Sequence, residues 1–205
     1  MRHAPCILLA ASLALTVPCR AQSVAAQVDR VRDGTVRLSF ETRPEVCGDG
    51  RSIGEDTPDG FVFYDSWNDG YSIQRFDHWM PDCRPGPLRL VVVKAGGRVS
   101  ALRAAVGVAW RAEAGATDLG TVSGADVASW LIGVAAAGDA SLSRVALLAA
   151  NAAQGAAVAD RVIAMIRDRT LSGEVRQAAM RWVNGMAARE GKSDAADRLL
   201  REAAA

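Results

Sequence analysis

The residues able to do chemistry are few, because the chain holds two histidines and four cysteines among 205 residues. A Ser-His-Asp arrangement would have to be built on His78, with Asp77 or Asp82 beside it in sequence, since His3 lies in a segment expected to be removed. No Gly-x-Ser-x-Gly elbow offers the serine. Carboxylates are abundant instead: Asp49, Glu55, Asp56, Asp59, Asp65, Asp69, Asp77 and Asp82 crowd one region. Two of them flanking a glycosidic bond could act as acid and base or nucleophile. Asp49-Gly50, Asp59-Gly60 and Asp69-Gly70 are, however, the pairs that tight turns select. The run Asp65-Ser66-Trp67-Asn68-Asp69-Gly70 has the glycine and some oxygen donors of a calcium loop. Trp67 at the third place and Phe76 at the twelfth, where a bidentate Glu belongs, argue against that ion. Ala95-Gly96-Gly97 lacks the Lys-Ser/Thr of a phosphate loop. These residues lead us to expect no enzyme, no metal and no cofactor.

The N-terminus sets the compartment. Met1-Arg2-His3 precedes an apolar run, residues 6–17, closed by Pro18-Cys19-Arg20-Ala21. That order of charge, apolar stretch and small residues is the pattern of a secretory signal peptide over residues 1–21. The apolar run is shorter than the roughly 20 residues that a membrane-spanning helix needs. Lipidation at Cys19 is the alternative, although Pro18 occupies a place where a small residue is usual. Removal of Arg2 and Arg20 leaves 22 basic against 23 acidic residues, net −1, a balance that excludes the basic footprint of a nucleic-acid binder. Cys47 and Cys83 then remain, and in an oxidising periplasm or extracellular space they are expected to form a disulfide. Export as a periplasmic or secreted protein is the expectation, with no membrane span.

Composition divides what is left. Residues 22–100 contain three alanines, whereas residues 101–205 contain 31 and no proline. Within the first part Val36, Leu38 and Phe40 alternate with Arg37, Ser39 and Glu41, the period of a half-buried strand. Residues 61–67 and 71–77 flank Asn68-Asp69-Gly70 as a hairpin, with register set by the loop: Phe63 opposite Phe76 for a two-residue turn, opposite Arg75 for three. Residues 88–94 and 98–102 form a second hairpin around Ala95-Gly96-Gly97. A disulfide-stapled β region over 22–111, an antiparallel sheet of about five strands, is therefore expected.

After a linker at 112–122, apolar residues return at helical spacing. Five helices are predicted over about 123–205, the clearest carrying Val175, Ala178, Ala179, Trp182, Val183, Met186 and Ala187 on one stripe. The fold class is accordingly α+β, a small antiparallel β region followed by an all-α stack. Ile163-Ala164-Met165-Ile166-Arg167-Asp168, Leu171, Val175-Arg176, Ala178-Ala179 and Trp182-Val183 together resemble a HEAT-type helical repeat. That resemblance implies an α-solenoid surface for binding proteins, with Asp168 and Arg176 as the polar pair between repeats. One unit is fewer than the roughly three that bury a solenoid's faces, so the sheet or another subunit would have to cap it.

Two surfaces follow as interaction candidates. Trp67, Tyr71 and Trp79 in the disulfide-closed region are residue types enriched where proteins meet their partners. Arg176 and Arg181 lie opposite the apolar stripe of their helix. The expected function is a non-catalytic, exported protein-interaction module that docks on an envelope or extracellular protein. The alternative is a cell-wall or carbohydrate-binding or hydrolysing protein that uses the acidic and aromatic region 49–84.

Overall fold

The computed structural model describes residues 22–57, 60–66, 72–76, 82–107 and 114–204. In chain order the elements are α1 (Val24–Asp29), β1 (Gly34–Phe40), β2 (Val46–Cys47), β3 (Ser52–Thr57), β4 (Gly60–Asp65), β5 (Ser72–Phe76), β6 (Leu88–Ala95), β7 (Arg98–Val106), β8 (Thr117–Thr121), α2 (Gly124–Ala137), α3 (Ala140–Ala152), α4 (Ala159–Arg167), α5 (Gly173–Arg189) and α6 (Ser193–Ala204). The class is α+β, with strands first and most helices last.

The larger sheet has the order β7-β6-β1-β8. Val36, Leu38 and Phe40 are wholly buried on one face of β1, as their alternation requires. Ala95 pairs with Arg98 across a turn in which Gly96 and Gly97 take φ values of 58° and 79°. Both are left-handed, the geometry of a two-residue turn that side chains resist. The segment read as a linker carries β8, which runs parallel to β1 and leaves the sheet only partly antiparallel. Its residues are mostly exposed, so no apolar alternation marks it as a strand. What holds this edge is polar: Arg37 pairs with Asp118 at 2.8 Å. The Gly120 N–H and then Arg37 keep the Asp118 carboxyl below its ordinary range.

The smaller sheet, β2-β3-β4-β5, is antiparallel. Its register places Phe61 opposite Phe76 and Phe63 opposite Gln74, which corrects both registers expected for the hairpin. Three sets of contacts tie this sheet to the larger one. Cys47 and Cys83 form the disulfide, with Cα atoms 5.3 Å apart. Gly48 and Arg84 exchange backbone hydrogen bonds of 3.0 and 2.9 Å, and the Gly50 N–H donates to the Val106 carbonyl at 2.9 Å. The Ser66 hydroxyl donates to the Ala104 carbonyl at 2.9 Å and accepts from its N–H at 3.0 Å. Gly48 is required at this junction, because a Cβ there would stand 2.3 Å from the Val106 oxygen.

The helices are capped by short side chains where the sequence supplies them: Ser123 for α2, Asp139 for α3 and Ser172 for α5. α4 has no such residue and begins instead on Glu190, whose Oε1 accepts from the N–H groups of Val158 and Ala159 at 2.6 and 2.8 Å. A carboxylate at that positive pole is favourable whichever part of the chain delivers it. α5 packs against α3, α4 and α6, while α3 also covers β6 and β7. This arrangement corrects the HEAT-type solenoid. Two sheets of eight strands and six helices share one hydrophobic cluster, rather than helical hairpins stacked on each other alone. Among the described residues no ion pair joins Asp168 to Arg176, the polar pair that the resemblance implies; Asp168 Oδ1 accepts instead from the hydroxyl and N–H of Thr170, at 2.6 and 2.9 Å.

The disulfide and Gly48 sit at the same junction, so both should report on it. Replacing Cys47 and Cys83 together by Ser is expected to lower unfolding stability by about 2–5 kcal/mol. Gly48→Ala, which forces a backbone clash, is expected to cost about 1–3 kcal/mol. Urea unfolding followed by circular dichroism measures both, and midpoints equal to that of the parent would contradict the assignment.

Candidate functional site

Position along α5 decides which of the expected binding residues meet. Val175, Ala178, Trp182 and Met186 face the core, leaving Glu174, Gln177 and Arg181 outside. On the smaller sheet Tyr64 and Val62 are buried. Their cross-strand partners on β5 are Ile73 and Arg75, which the pleat places on that same face. Arg144 comes from α3. Ile73, Arg144, Glu174, Gln177, Ala178 and Arg181 thus border an open groove of about 300 Å³ where β5 meets the helices.

Under this groove Tyr64 rests on Trp182, with ring centres 5.1 Å apart and planes tilted by 53°. Burial pushes the Tyr64 phenol up to about 12, and the negative charge of Glu55 adds to the effect, against the opposing fields of Arg181, Arg75 and Arg43. Of the two groove arginines, Arg181 is the one whose field reaches this tyrosine.

Deeper lies a polar network that binds the small sheet to the helices. Arg43 Nη2 donates to Glu55 Oε1 at 2.5 Å, and the side chains of that pair are 11% and 12% exposed. Arg43 also donates from Nε to the Asn151 carbonyl at 2.7 Å, and from its backbone N–H to the Ala152 carbonyl at 2.9 Å. Asn151 Nδ2 reaches both Glu55 oxygens at 3.3 and 3.4 Å and accepts from Arg189 Nη2 at 2.5 Å. Burial, then the neighbouring Arg43, lower the Arg189 pKa, and the carboxylates of Glu55, Glu45 and Glu190 partly offset them. Charge and hydrogen bonds close on themselves here, which suits a structural clamp better than a reactive centre.

A second concavity, about 680 Å³, lies beside the disulfide, bordered by Gly48, Asp49, Arg51, Asp82, Arg84, Pro85 and Gly107. Asp49 Oδ1 accepts from the N–H of Arg51 at 2.9 Å, and from the N–H and hydroxyl of Ser52 at 2.9 and 2.8 Å. Burial raises this carboxyl, but those bonds together outweigh it and hold it below the ordinary range.

Of the residues singled out in the sequence, Arg181 is exposed on the groove and Arg176 is half-buried, its Nε enclosed without a hydrogen-bond partner. Trp67, Tyr71, Trp79, His78 and most of the calcium-like run lie outside the described residues. Among the described residues no group of three or more His, Cys, Asp or Glu side chains converges as metal ligands would. No helix among them is long and apolar enough to cross a membrane. Sequence reasoning missed Arg43, Glu55 and Asn151 as a unit, and Arg144 as a partner of Arg181. Of these only Glu55 had a signal in the sequence, as one of the carboxylates crowding residues 49–82. Compared with family models, with curated proteins and with solved structures, the chain finds no match in any of the three.

Removing the Glu55 carboxylate takes away the enclosed counter-charge of Arg43 and leaves it only the exposed carboxylate of Glu45, at 3.2 Å. Glu55→Ala is therefore expected to destabilise by about 3–5 kcal/mol, with replacement of both Arg43 and Glu55 by apolar residues costing less. A double-mutant cycle in urea tests this, and independent, additive effects would refute the coupling. Tyr64 yields a second expectation. Its pKa is raised from 10.0 to about 12 by folding, so its contribution to stability is fully present below pH 10 and is lost as pH climbs towards 12. Phenolate absorbance should show one of the two tyrosines resisting ionisation until about that pH, and reverting in denaturant.

Proposed function

We propose that this chain is a non-catalytic, exported interaction module whose groove between β5 and α5 receives an acidic segment of an envelope or extracellular protein. The observation that carries the reading is the convergence of Arg144 and Arg181 on a groove whose lining, among the described residues, contains a single carboxylate, Glu174. Neither guanidinium forms an ion pair among the described residues, so both keep their hydrogen-bonding capacity for a partner. Arginine offers a planar fork that matches a carboxylate with two parallel bonds. The half-buried Ile73 adds apolar area beside the charges, the mixture that protein contacts favour.

Export is supported by the signal-like residues 1–21 and by a disulfide that an oxidising compartment would preserve. Periplasmic or secreted placement fits both, with lipid attachment at Cys19 as the alternative. The absence of catalysis rests on the poverty of reactive groups in the processed sequence, with one histidine and no free pair of thiols.

Cross-linking of the exported protein in intact envelopes, followed by mass spectrometry, should recover a defined protein partner through an acidic segment. Arg144→Glu combined with Arg181→Glu is expected to weaken that capture by about tenfold or more while leaving the thermal midpoint within a few degrees. Undiminished capture by the double variant, or steady product formation by the purified chain, would overturn the proposal.

A further inference from the structure

The concavity beside the disulfide differs in character from the α5 groove. Its charged border comes from two short segments, Cys47-Gly48-Asp49-Gly50-Arg51 and Asp82-Cys83-Arg84-Pro85, each carrying one aspartate and one arginine around a half-cystine. The disulfide and the paired backbones of Gly48 and Arg84 hold the segments side by side. Opposite charges so placed would normally be expected to pair. Yet none of the four is in an ion pair with another, and the arginine side chains and Asp82 have no hydrogen-bond partner among the described residues. Asp49 engages its own turn through Oδ1 alone, leaving Oδ2 directed to neither Arg51 nor Ser52.

From this we infer that the cleft is a binding site for an uncharged, polyhydroxylated ligand of the saccharide class, distinct from the protein-binding groove. Among the described residues its two carboxylates and two guanidiniums cancel, which gives no net preference for an anion or a cation. It does present acceptors and donors together, and a sugar hydroxyl is the group that both donates and accepts. A ligand charged in one sign would satisfy one pair and leave the other repelled. The exposed ring of Pro85 supplies an apolar surface for the C–H face of a pyranose. A volume of about 680 Å³ falls in the roughly 300–1,000 Å³ range of small-molecule sites.

The processed protein, residues 22–205, titrated by calorimetry with cellotetraose, chitotetraose and maltotetraose tests the inference, with glycylglycine and citrate as zwitterionic and anionic controls. Saturable heat is expected with at least one tetrasaccharide. Asp82→Asn and Arg84→Gln, each at an exposed position, are expected to weaken it about tenfold or more at unchanged melting temperature, with Arg51→Gln as a further variant should either fold poorly. Arg181→Gln, in the other groove, should leave it unchanged. No heat with any tetrasaccharide, tighter binding of glycylglycine or citrate, or tetrasaccharide binding indifferent to all three substitutions would overturn the inference. Because the arginine controls separate the two surfaces, failure here and failure of the interaction reading are distinguishable.

Discussion

A single carboxylate joins the parts of this molecule. Glu55 stands on β3 of the smaller sheet, where Arg43 from the β1–β2 connection and Asn151 from α3 close on it, with Arg189 of α5 bonded in turn to Asn151. Enclosing a charge is costly unless it is paired and hydrogen-bonded, so the geometry that satisfies Glu55 also fixes where the sheet lies against the helices. Arg43 strengthens the link by donating to the backbone at the end of α3, at Asn151 and Ala152. The position of β5 relative to α5, and with it the groove bearing Arg144 and Arg181, follows from that clamp.

Apolar packing does the rest, and alanine explains how. Ala146, Ala149, Ala150 and Ala152 on α3 and Ala178, Ala179 and Ala187 on α5 are buried, so these helices approach closely without large side chains between them. Larger side chains fill the rest of the core, among them Phe40 on the larger sheet, Leu147 and Leu148 on α3, and Trp182 packed on Tyr64. Buried polar groups are tied down in the same economical way. The Ser143 hydroxyl lies between the carbonyls of Ala135 in α2 and Asp139 at the cap of α3 and shares its one proton with them, and the Lys94 ammonium donates to the Val28 carbonyl at the end of α1. Each such bond spares a group from being enclosed without a partner.

Much of the fold is legible from local rules. The alternation of Val36, Leu38 and Phe40, the Gly96-Gly97 turn and the stripes of α2 and α5 express preferences that act over a few residues, and they appear in the structure as strands, hairpin and helices. The misreadings share a cause. β8 has no apolar face to betray it, and the resemblance of residues 163–183 to a helical repeat is carried by spacing that any amphipathic helix pair satisfies. The candidate sites were harder still to read, since Arg181 and Arg144 are ordinary exposed-looking arginines until two helices and a sheet bring them to one groove.

What the sequence determined alone was the α+β class, the expectation that Cys47 pairs with Cys83, and the identity of the buried faces. Periodicity and composition are properties of neighbouring residues, and neighbouring residues are all that a sequence displays directly. Only the tertiary structure decided that β8 lies parallel beside β1, that Glu55 is enclosed by Arg43 and Asn151, and that charges near the half-cystines line one cleft without pairing. Those are relations between segments tens of residues apart, set by which packing leaves the fewest buried groups unsatisfied, and no local pattern encodes them.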